Sequence, residues 1–308
     1  MKLTELLSGI ETLQRAGAPE TDITSLGFDS RHATAGQLFF AVKGSASDGH
    51  DYMAQATANG AAAVVCERLP EEPFPGVAYI VVADSSAALG TIASRFYGEP
   101  SHKLKLVGVT GTNGKTTTAT LLYDLFRRLG YKAGLISTVV YRIDNETLPS
   151  THTTPDAIRL NAMLAEMAER GCDYCFMEVS SHSIVQERIA GLTFAGGIFT
   201  NITHEHLDYH GTFAEYIRAK KRFFDRLLKG AFALVNADDR NGAVMVQNSA
   251  ATTYTYALRS FSDFRCRILE NTPEGMLLEL DGQQVWTRFL GRFNAYNLAA
   301  VYGAARLL

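Results

Sequence analysis

The feature that most constrains the fold of this chain is an apolar segment that leads into a glycine-rich turn and then into a helical pattern. Residues 104–109 have the composition of a buried strand, and a helix is predicted over 115–129, with Gly130 as its stop signal. The residues that join them, 110–117, read Thr-Gly-Thr-Asn-Gly-Lys-Thr-Thr. A strand, a tight turn and a helix in this order predict an α/β fold.

The same alternation of strands and helices extends through most of the 308 residues. Further strands are predicted at 38–42, 62–66, 78–82, 133–137, 174–179, 195–200 and 231–235. Further helices are predicted at 52–58, 85–97, 155–170, 213–228 and 294–308. Because parallel strands are joined by helical crossovers, the pattern favours a mostly parallel sheet flanked by helices on both faces. Residues 252–290 form shorter runs broken by turns and predict an antiparallel β patch at one edge.

The length of the chain suggests about two domains, since an average domain has ~150 residues. Residues 98–103 read Gly-Glu-Pro-Ser-His-Lys and interrupt the periodicity, so we expect the domain boundary there. The expected domains are a small N-terminal α/β domain, 1–103, and a larger domain built around the glycine-rich turn, 104–308.

The composition excludes several classes of protein. The chain carries 29 Lys and Arg against 32 Asp and Glu, a net charge of −3, which gives no basic footprint for nucleic acid or an acidic membrane surface. No apolar run approaches the ~18 residues of a membrane span, and the N-terminus lacks the pattern of a signal peptide. Its 4 cysteines are too few for a disulfide framework, and we interpret the pair Cys172 and Cys175 as packing. We therefore expect a cytoplasmic monomer that binds neither nucleic acid nor membrane.

The glycine-rich turn has the residue types of a phosphate-binding loop. Its glycines allow backbone N–H groups to converge on phosphate oxygens at the positive end of the following helix. Lys115 would reach the terminal phosphates of a nucleotide, and the Thr116 hydroxyl would hold Mg²⁺. The common form of this loop begins with glycine, whereas this chain has Val109. The alternative is a plain glycine turn with a solvated lysine.

The loop resembles the nucleotide loop of the Mur ligases, the ATP-dependent amide-bond ligases of peptidoglycan synthesis. It is also similar to the loop of folylpolyglutamate synthetases, so the loop alone leaves both families open. The resemblance implies an ATP site made of Gly111, Thr112, Asn113, Gly114, Lys115, Thr116 and Thr117. A later segment, Gly-Arg-Phe-Asn-Ala-Tyr-Asn, resembles a second Mur element whose asparagines, Asn294 and Asn297, lie near the adenine. The alternative is a helix cap at Asn294 and a surface Asn297.

A carboxylate is expected at the end of the strand over 174–179. Ligands of such sheets collect at the carboxyl ends of the strands, where Glu178 lies. A buried carboxylate is costly unless a cation compensates it. We therefore expect Glu178 and Thr116 to hold one Mg²⁺, the alternative being a helix-capping or salt-bridged glutamate.

Two segments resemble the substrate-binding parts of the Mur ligases that extend UDP-N-acetylmuramoyl-L-alanyl-D-glutamate. One is Ser-Ser-His-Ser-Ile-Val-Gln-Glu-Arg at 180–188, and the other is Thr-Thr-Pro-Asp at 153–156. The resemblance implies contacts to the peptide part of this substrate from Ser180, Gln186, Arg188, Thr153 and Thr154. For Thr154 alone, the alternative is a plain helix cap with Pro155 as the first helical residue.

Residues 200–211 form the densest polar cluster in the sequence. Its three histidines suggest zinc, and the spacing comes close to that of metallo-β-lactamase-like hydrolases. It misses by one residue, because Tyr209 separates Asp208 from His210, and those hydrolases have no use for a phosphate loop. The Mur resemblance instead makes His206 a magnesium ligand and gives Asp208 a role on the nucleotide side.

Two adjacent lysines, Lys220 and Lys221, lie in the helix predicted over 213–228. A lysine pair on a helix is usually a solvated face. The Mur resemblance places a carbamoylated lysine here and aligns it with Lys220, or with Lys221 if the register is shifted by one. Carbamoylation turns the ammonium into a carboxylate-like group, which would be a second metal ligand beside His206. The implied catalytic residues are Lys115, Lys220 and His206.

The N-terminal region resembles the UDP-binding domain of the same Mur ligases. The matching positions near the uridine diphosphate are Phe28, Ser30, Ser45, Ala46 and Ser47. Folylpolyglutamate synthetases lack this domain, so the resemblance favours the Mur ligases over them.

The resemblance as a whole implies the first two domains of a ligase that adds the third residue of the peptidoglycan stem peptide, with the C-terminal Rossmann-like domain absent. The implied partners are ATP, Mg²⁺, UDP-N-acetylmuramoyl-L-alanyl-D-glutamate and a diamino acid, either meso-diaminopimelate or lysine. Two alternatives stay open: another ligase of this nucleotide fold, such as a folylpolyglutamate-type enzyme, and a fragment that binds substrate without turning it over.

Overall fold

We describe the chain from a computed structural model, which describes residues 1–17, 20–44, 47–203 and 207–308, apart from the side chains of residues 207 and 208. The chain divides into two compact units. Unit 1 contains Met1–Pro100, Asp156–Ala165 and Gln186–Leu192. Unit 2 contains Ser101–Pro155, Glu166–Val185 and Thr193–Leu308.

Unit 1 is built on a five-stranded sheet. Its strands are β1 Gln14–Ala16, β2 Ser25–Gly27, β3 Gln37–Phe40, β4 Ala63–Cys66 and β5 Ala78–Val81. Its helices are α1 Leu3–Leu6, α2 Met53–Ala58 and α3 Ser85–Phe96, with 3-10 turns at Ser30–His32 and Gly49–Tyr52. The strand order is β1-β5-β4-β3-β2, and all neighbours are parallel except β1 and β5.

Consecutive residues of β3 point to opposite faces of this sheet and so enter two different cores. Phe40 packs in a core that contains Ile92 of α3, and Phe39 packs in a core that contains Met53 of α2. Both phenylalanines are fully buried. A strand that is apolar on both faces is typical of a parallel sheet between helices, as the sequence predicts.

Unit 2 is built on an eleven-stranded sheet. Its strands are β6 Lys105–Thr110, β7 Ala133–Ile136, β8 Val140–Ile143, β9 Glu146–Pro149, β10 Tyr174–Glu178, β11 Gly196–Phe199, β12 Phe232–Asn236, β13 Thr252–Ala257, β14 Phe264–Thr272, β15 Gly275–Leu280 and β16 Gln283–Thr287. The order is β16-β15-β14-β13-β12-β11-β6-β10-β7-β8-β9. In this sheet order, all neighbouring strands between β14 and β7 are parallel. The strands at the two edges, β15 and β16 on one side and β8 and β9 on the other, are antiparallel to their neighbours.

Helices cover both faces of the larger sheet. They are α4 Lys115–Arg128, α6 Ser181–Val185, α7 Leu207–His210, α8 Phe213–Asp225, α9 Gly242–Val246 and α10 Arg292–Leu307, while α5 Ala157–Glu169 is divided between the two units. Phe126 of α4 and Ala299 of α10 belong to one core. Phe223 of α8 packs on Gly108 of β6, where a Cβ atom would lie 2.6 Å from the phenylalanine ring. The missing side chain allows α8 to lie close to the sheet.

The structure confirms the α/β class and the mostly parallel central sheet. It also contains short elements that the sequence analysis did not predict, namely α1, β1, β2, α6, α7 and α9. The predicted antiparallel patch begins later, because β13 pairs in parallel with β12 and only β14–β16 are antiparallel. Helix α9 between β12 and β13 is the crossover that returns the chain in the parallel direction. The hairpin of β8 and β9 was not predicted.

The edge of the sheet at β16 carries the single tryptophan of the chain, Trp286, which is 50% exposed. Strand β16 pairs only with β15, so its other side has no strand partner within the described residues. Within the same residues, no helix combines the length and the apolar character that crossing a membrane requires.

Candidate nucleotide and metal site

The carboxyl ends of the parallel strands in unit 2 carry two of the predicted parts of the site. The glycine-rich loop follows β6, and Glu178 ends β10, while Asn236, which was not predicted, ends β12. Strand β6 lies between β10 and β11, and the next strand in sequence, β7, lies on the β10 side. In a parallel sheet, a cleft opens where the connections of two neighbouring strands run to opposite sides. The glycine-rich loop lies at such a point.

The loop between β6 and α4 has a backbone that requires glycine at two positions. Gly111 has φ +150°, and a Cβ atom there would overlap the Oγ1 atom of Thr200. Gly114 has φ +86° at the start of α4, and a Cβ atom there would overlap the amide of Asn297. The loop therefore packs against its neighbours through backbone atoms at these two glycines. The N–H groups at the N-terminus of α4 can then bind an anion.

Two residues after β11 hold this loop in place. The Asn201 side chain accepts a hydrogen bond from the Asn113 N–H (3.0 Å) and donates one to the Asn113 carbonyl (3.0 Å). The Thr200 hydroxyl donates to the same carbonyl (2.7 Å). The Asn201 carbonyl accepts from the Thr112 N–H (2.8 Å). The loop is thus tied to the end of the neighbouring strand β11.

The ammonium groups of Lys115 and Lys220 converge on one backbone carbonyl. Lys115 Nζ donates to the oxygens of Gly111 (3.0 Å) and Thr112 (2.8 Å). Lys220 Nζ donates to the Gly111 oxygen (2.8 Å) and lies 4.6 Å from the centre of the Tyr216 ring. Two positive charges beside the loop favour the binding of an anion there.

The two adjacent lysines have different surroundings. Lys220 is 1% exposed, so the alternative of a solvated lysine pair is wrong for this residue. Lys221 instead pairs with Asp225 one turn along α8. Lys115 bonds to the loop backbone and is not a solvated lysine on a plain turn.

Glu178 is buried at the end of β10, with 1% exposure. Its Oε1 atom accepts from the Thr138 N–H (2.7 Å), and its Oε2 atom accepts from the Thr138 hydroxyl (3.2 Å). No cation neutralises it within the part of the chain that the structure describes, so the salt-bridge alternative is wrong there. A buried carboxylate with free lone pairs and no positive partner fits a metal ligand.

Two neighbouring threonines, Thr153 and Thr154, face this carboxylate residue. The Thr154 hydroxyl is buried and donates to the Glu178 carbonyl (2.7 Å), and the Thr153 hydroxyl lies 3.1 Å from that of Thr138. Thr154 does not cap the following helix, because α5 begins at Ala157 and not at Pro155. The residue that caps α5 is Asp156, whose Oδ1 atom accepts a hydrogen bond from the Arg159 N–H (3.0 Å).

Ser180 follows Glu178 and caps α6. Its hydroxyl accepts from the Ser183 N–H (3.1 Å), and its own N–H donates to the Thr154 hydroxyl (3.3 Å). Gln186 and Arg188 belong to unit 1, where the Arg188 guanidinium donates to the Gln186 Oε1 atom through Nε (3.0 Å) and Nη2 (2.6 Å).

Asn294 and Asn297 lie in the first two turns of α10. The Asn297 amide donates to Asn294 Oδ1 (3.2 Å), and Asn297 is 5% exposed. The cap of α10 is Gly291, so the alternative of a capping Asn294 and a surface Asn297 is wrong. A cavity of about 220 Å³ opens beside the glycine-rich loop here, lined by Asn113, Gly114, Asn201, Asn236, Asp238, Asp239, Phe293, Tyr296 and Asn297.

Asp238 fixes one wall of this cavity. Its carboxylate accepts from the N–H groups of Leu258, Arg259 and Ser260 at 2.8–2.9 Å and from the Tyr296 hydroxyl at 2.8 Å. Burial raises the pKa of Asp238, but these hydrogen bonds outweigh it and hold the pKa below its ordinary value. The carboxylate is therefore the ionised anchor of a loop and a helix beside the cavity.

The other predicted residues fall on several parts of the chain. Thr116 and Thr117 are half-buried in the first turn of α4. In unit 1, Phe28 is 44% exposed, Ser30 is buried and donates to Gln55 Oε1 (2.7 Å), and Ser47 is exposed.

Several predicted positions lie outside the described residues. They are Ser45, Ala46, His206 and the side chain of Asp208. Within the described remainder, His, Cys, Asp and Glu side chains form no group of three that could hold a metal ion.

Sequence reasoning missed several residues of this site, among them Thr138, Asn201, Asp238 and Tyr296. A signal existed for Asp238, because it lies just after a buried strand, whereas Glu178 is the last residue of one. Asn201 also follows a strand, and the sequence analysis placed it in a polar cluster without a role. For Thr138 and Tyr296 the sequence carried no signal, because their roles depend on contacts across the fold.

Comparison with known proteins identifies the family. Residues 109–305 match the family described as Mur ligase middle domain, and residues 22–97 match the one described as Mur ligase family, catalytic domain. The chain belongs to the Mur ligase family. The match to the middle domain covers every strand of unit 2 except most of β6, together with the loop and both asparagines of α10.

Individual relatives agree with the family match. This Mur ligase chain is 56% identical over 308 residues to a Bacteroides thetaiotaomicron protein named UDP-N-acetylmuramoyl-L-alanyl-D-glutamate--2,6-diaminopimelate ligase, covering 100% of this chain and 64% of that protein. A solved structure of the same name superposes with a TM-score of 0.85 at 28% identity, covering 99% of this chain and 63% of that one. The chain thus spans somewhat less than two thirds of these relatives.

A folylpolyglutamate synthetase has a more distant likeness to this Mur ligase chain. The L. casei FPGS structure superposes with a TM-score of 0.54 at 16% identity and covers 72% of this chain. The likeness is one of fold only. It leaves more than a quarter of the chain unmatched, whereas the diaminopimelate ligase structure covers nearly all of it.

Proposed function

We propose that this chain is the N-terminal and central part of an ATP-dependent ligase that joins 2,6-diaminopimelate to UDP-N-acetylmuramoyl-L-alanyl-D-glutamate. The names of the relatives support this substrate and this amino acid. We also propose that the reaction takes place in the cytoplasm, as the composition of the chain favours.

The single observation that carries the proposal is the glycine-rich loop with the Lys115 ammonium group on its Gly111 and Thr112 carbonyls. We propose that the loop binds the phosphates of ATP through its N–H groups and that Lys115 neutralises their charge. The cavity beside Asn297 has room for a nucleoside base next to that loop.

The proposed reaction has two steps. The γ-phosphoryl group of ATP passes to a carboxylate oxygen of the D-glutamate residue, which gives an acyl phosphate and ADP. The amine of the diamino acid then attacks the acyl carbon, and the tetrahedral intermediate collapses to the amide and phosphate. Lys115 neutralises the charge of the γ-phosphoryl group during transfer.

The described residues fit Mg²⁺, because Glu178 is a buried carboxylate without a positive partner among them. Thr116 and Glu178 would hold one ion, and His206 with a carbamoylated Lys220 would hold a second. When bound, Mg²⁺ withdraws charge from the phosphate oxygens. Lys220 as an ammonium binds the Gly111 carbonyl, so carbamoylation would exchange that contact for a metal contact.

For the uridine diphosphate we propose Phe28, Ser30, Ser45, Ala46 and Ser47. For the peptide we propose Thr153, Thr154, Ser180, Gln186 and Arg188.

Calorimetry of the 308-residue chain tests the proposal. We expect UDP-N-acetylmuramoyl-L-alanyl-D-glutamate to bind and a folate to show no heat of binding. Mg²⁺ with a non-hydrolysable ATP analogue should also bind, and Lys115→Ala should weaken that binding at least about tenfold, because it removes a charged hydrogen-bond donor. Lys229→Ala, which removes an exposed lysine outside the site, is the control. Binding of folate in preference to the UDP-peptide would refute the proposal.

A second candidate function is binding of the substrates without turnover, because the chain spans only 64% of its B. thetaiotaomicron relative. Phosphate release can be measured for the chain alone and for the chain joined to the remaining third of that relative. Release only from the joined protein supports a binding fragment, and equal release from both supports a complete catalyst.

A further inference from the structure

The β8–β9 hairpin is joined by side-chain contacts to the segment that follows it. The Ser150 hydroxyl donates to the Ser137 carbonyl (2.9 Å). The Tyr141 hydroxyl accepts from the His152 N–H (3.1 Å) and donates to the His152 carbonyl (2.5 Å). These contacts tie both backbone polar groups of His152 to a buried ring on β8. The residues just before Thr153 are thus held against the start of the hairpin.

Thr138, at the start of the same hairpin, links Thr153 to Glu178. Its hydroxyl lies 3.1 Å from the Thr153 hydroxyl and 3.2 Å from Glu178 Oε2. A hydroxyl has one proton, and the carboxylate can only accept. The Thr138 hydroxyl faces both oxygens as a donor, so its single proton goes either to Thr153 or to Glu178, and the two acceptors compete for it.

Thr154 holds the backbone of the same glutamate. Its hydroxyl donates to the Glu178 carbonyl (2.7 Å) and accepts from the Ser180 N–H (3.3 Å). Two adjacent threonines are thus connected to Glu178. Thr153 acts on its carboxylate through Thr138, and Thr154 bonds directly to its backbone carbonyl. A shift of this segment would move the carboxylate.

We infer that Thr138 is a positioning residue that couples the occupancy of the peptide-substrate segment to the orientation of Glu178. A peptide that engages the Thr153 hydroxyl removes this competing acceptor, so the Thr138 proton goes to Glu178 and holds the carboxylate in one orientation toward the nucleotide-bound cation. The UDP-peptide therefore raises the affinity for the Mg²⁺–nucleotide, and the Mg²⁺–nucleotide raises the affinity for the UDP-peptide by the same factor. This inference rests on the proposed function, since it takes both ligands from it.

The test is a pair of calorimetric titrations on the 308-residue chain. The Kd of Mg²⁺ with a non-hydrolysable ATP analogue is measured without and with saturating UDP-N-acetylmuramoyl-L-alanyl-D-glutamate, and the ratio of the two values is the coupling factor. We expect a ratio of about three to ten for the wild type, the range of one modest hydrogen-bonded link. Thr138→Val removes only the hydroxyl and should bring the ratio to about one, whereas Thr138→Ser should keep it.

Thr147→Val is the matched control, because Thr147 is an exposed threonine on β9 of the same hairpin. It should leave the ratio unchanged. A purely structural role for Thr138 would weaken both titrations equally and leave the ratio intact, which would overturn the inference. A wild-type ratio of one would overturn it as well.

Failure of the two proposals can be told apart. If the wild type binds neither ligand, the proposed function fails. If it binds both and Thr138→Val keeps the wild-type ratio, only the inference fails. Should Thr138→Val not fold, as judged by circular dichroism, Thr138→Ala in the same titrations decides between these outcomes.

Discussion

The carbonyl of Gly111 accepts hydrogen bonds from two lysine side chains that are 105 positions apart in the sequence, Lys115 and Lys220. A glycine is the only residue whose backbone can present this oxygen while its Cα atom packs on Thr200. The charge of the site and the shape of its loop therefore depend on one residue without a side chain.

Gly111→Ala should damage the loop through overlap with Thr200 and through its φ of +150°. We expect a loss of about 2–4 kcal/mol in unfolding free energy, combining overpacking and backbone strain, together with loss of nucleotide binding. Chemical denaturation and calorimetry measure the two effects. Gly130→Ala is the control, since its φ is +94° but no atom lies within 4 Å of its Cβ position. Equal losses in both variants would contradict the steric argument.

The sequence allowed prediction of those site residues that a nearby sequence feature marks. Glu178 could be placed because a strand end is visible in the sequence. Burial separates Lys220 from Lys221, but two adjacent lysines on a helix look alike in the sequence, and only the family resemblance favoured Lys220, which is the buried one. Thr138 could not be predicted, because it meets Glu178, 40 positions away, through the pairing of β7 with β10.

The segment between β13 and β14 depends on one carboxylate at the end of β12. Asp238 accepts three N–H groups of this segment and the hydroxyl of Tyr296 on α10. The elements that surround the 220 Å³ cavity are thereby fixed to each other by a side chain rather than by sheet pairing.

Asp238→Asn should therefore destabilise unit 2 in a pH-dependent manner. The folded protein holds the pKa of Asp238 below its unfolded value, so this stabilisation is present above about pH 4 and is lost as the pH falls through the folded pKa. At pH 7 we expect a loss of about 2 kcal/mol in Asp238→Asn, from hydrogen bonds to a charged group. Thermal melts from pH 7 to pH 2 should show the difference from wild type shrinking below about pH 4.

Tyr296→Phe is the control for this prediction, because it removes one of the four hydrogen-bond partners and keeps the ring. Its loss at pH 7 should be smaller than that of Asp238→Asn. A gap between wild type and Asp238→Asn that is constant over the whole pH range would contradict the assigned ionisation.

Helices and strands with a clear hydrophobic periodicity were predicted from the sequence. Strands whose position or direction depends on the neighbouring strand were not. Helix α4 and strands β4, β6 and β10 agree with their predicted spans within one or two residues. The β8–β9 hairpin was missed although Asp144-Asn145 is a turn signal between its strands, and Asp144 has φ +52°. The direction of β13 could not be predicted, because alternation within a strand does not indicate the orientation of its neighbour.

Across the whole molecule, all 4 cysteines are free and buried. Cys66 lies in unit 1, and Cys172, Cys175 and Cys266 lie in unit 2. Burial raises the pKa of the Cys66 thiol to about 11 and that of Cys266 to about 12. The interpretation of Cys172 and Cys175 as packing residues agrees with this burial.

The chain should therefore resist thiol reagents while it is folded. At pH 8 we expect Ellman's reagent to label none of the cysteines within minutes, because only an accessible thiolate reacts. Labelling should reach four equivalents in 6 M guanidinium, which serves as the control. Rapid labelling of one or more cysteines in the native chain would show that one of the buried thiols is accessible.

The position of Trp286 has a consequence for how unfolding of this chain is observed. The tryptophan lies half-exposed on the outermost strand, far in sheet order from the glycine-rich loop. Intrinsic fluorescence excited at the indole band therefore records fraying of the β15–β16 edge, while circular dichroism records the central strands and helices. A fluorescence transition that precedes the dichroism transition would signal local release of this edge, and a probe placed beside β6 would be needed to follow the nucleotide site itself.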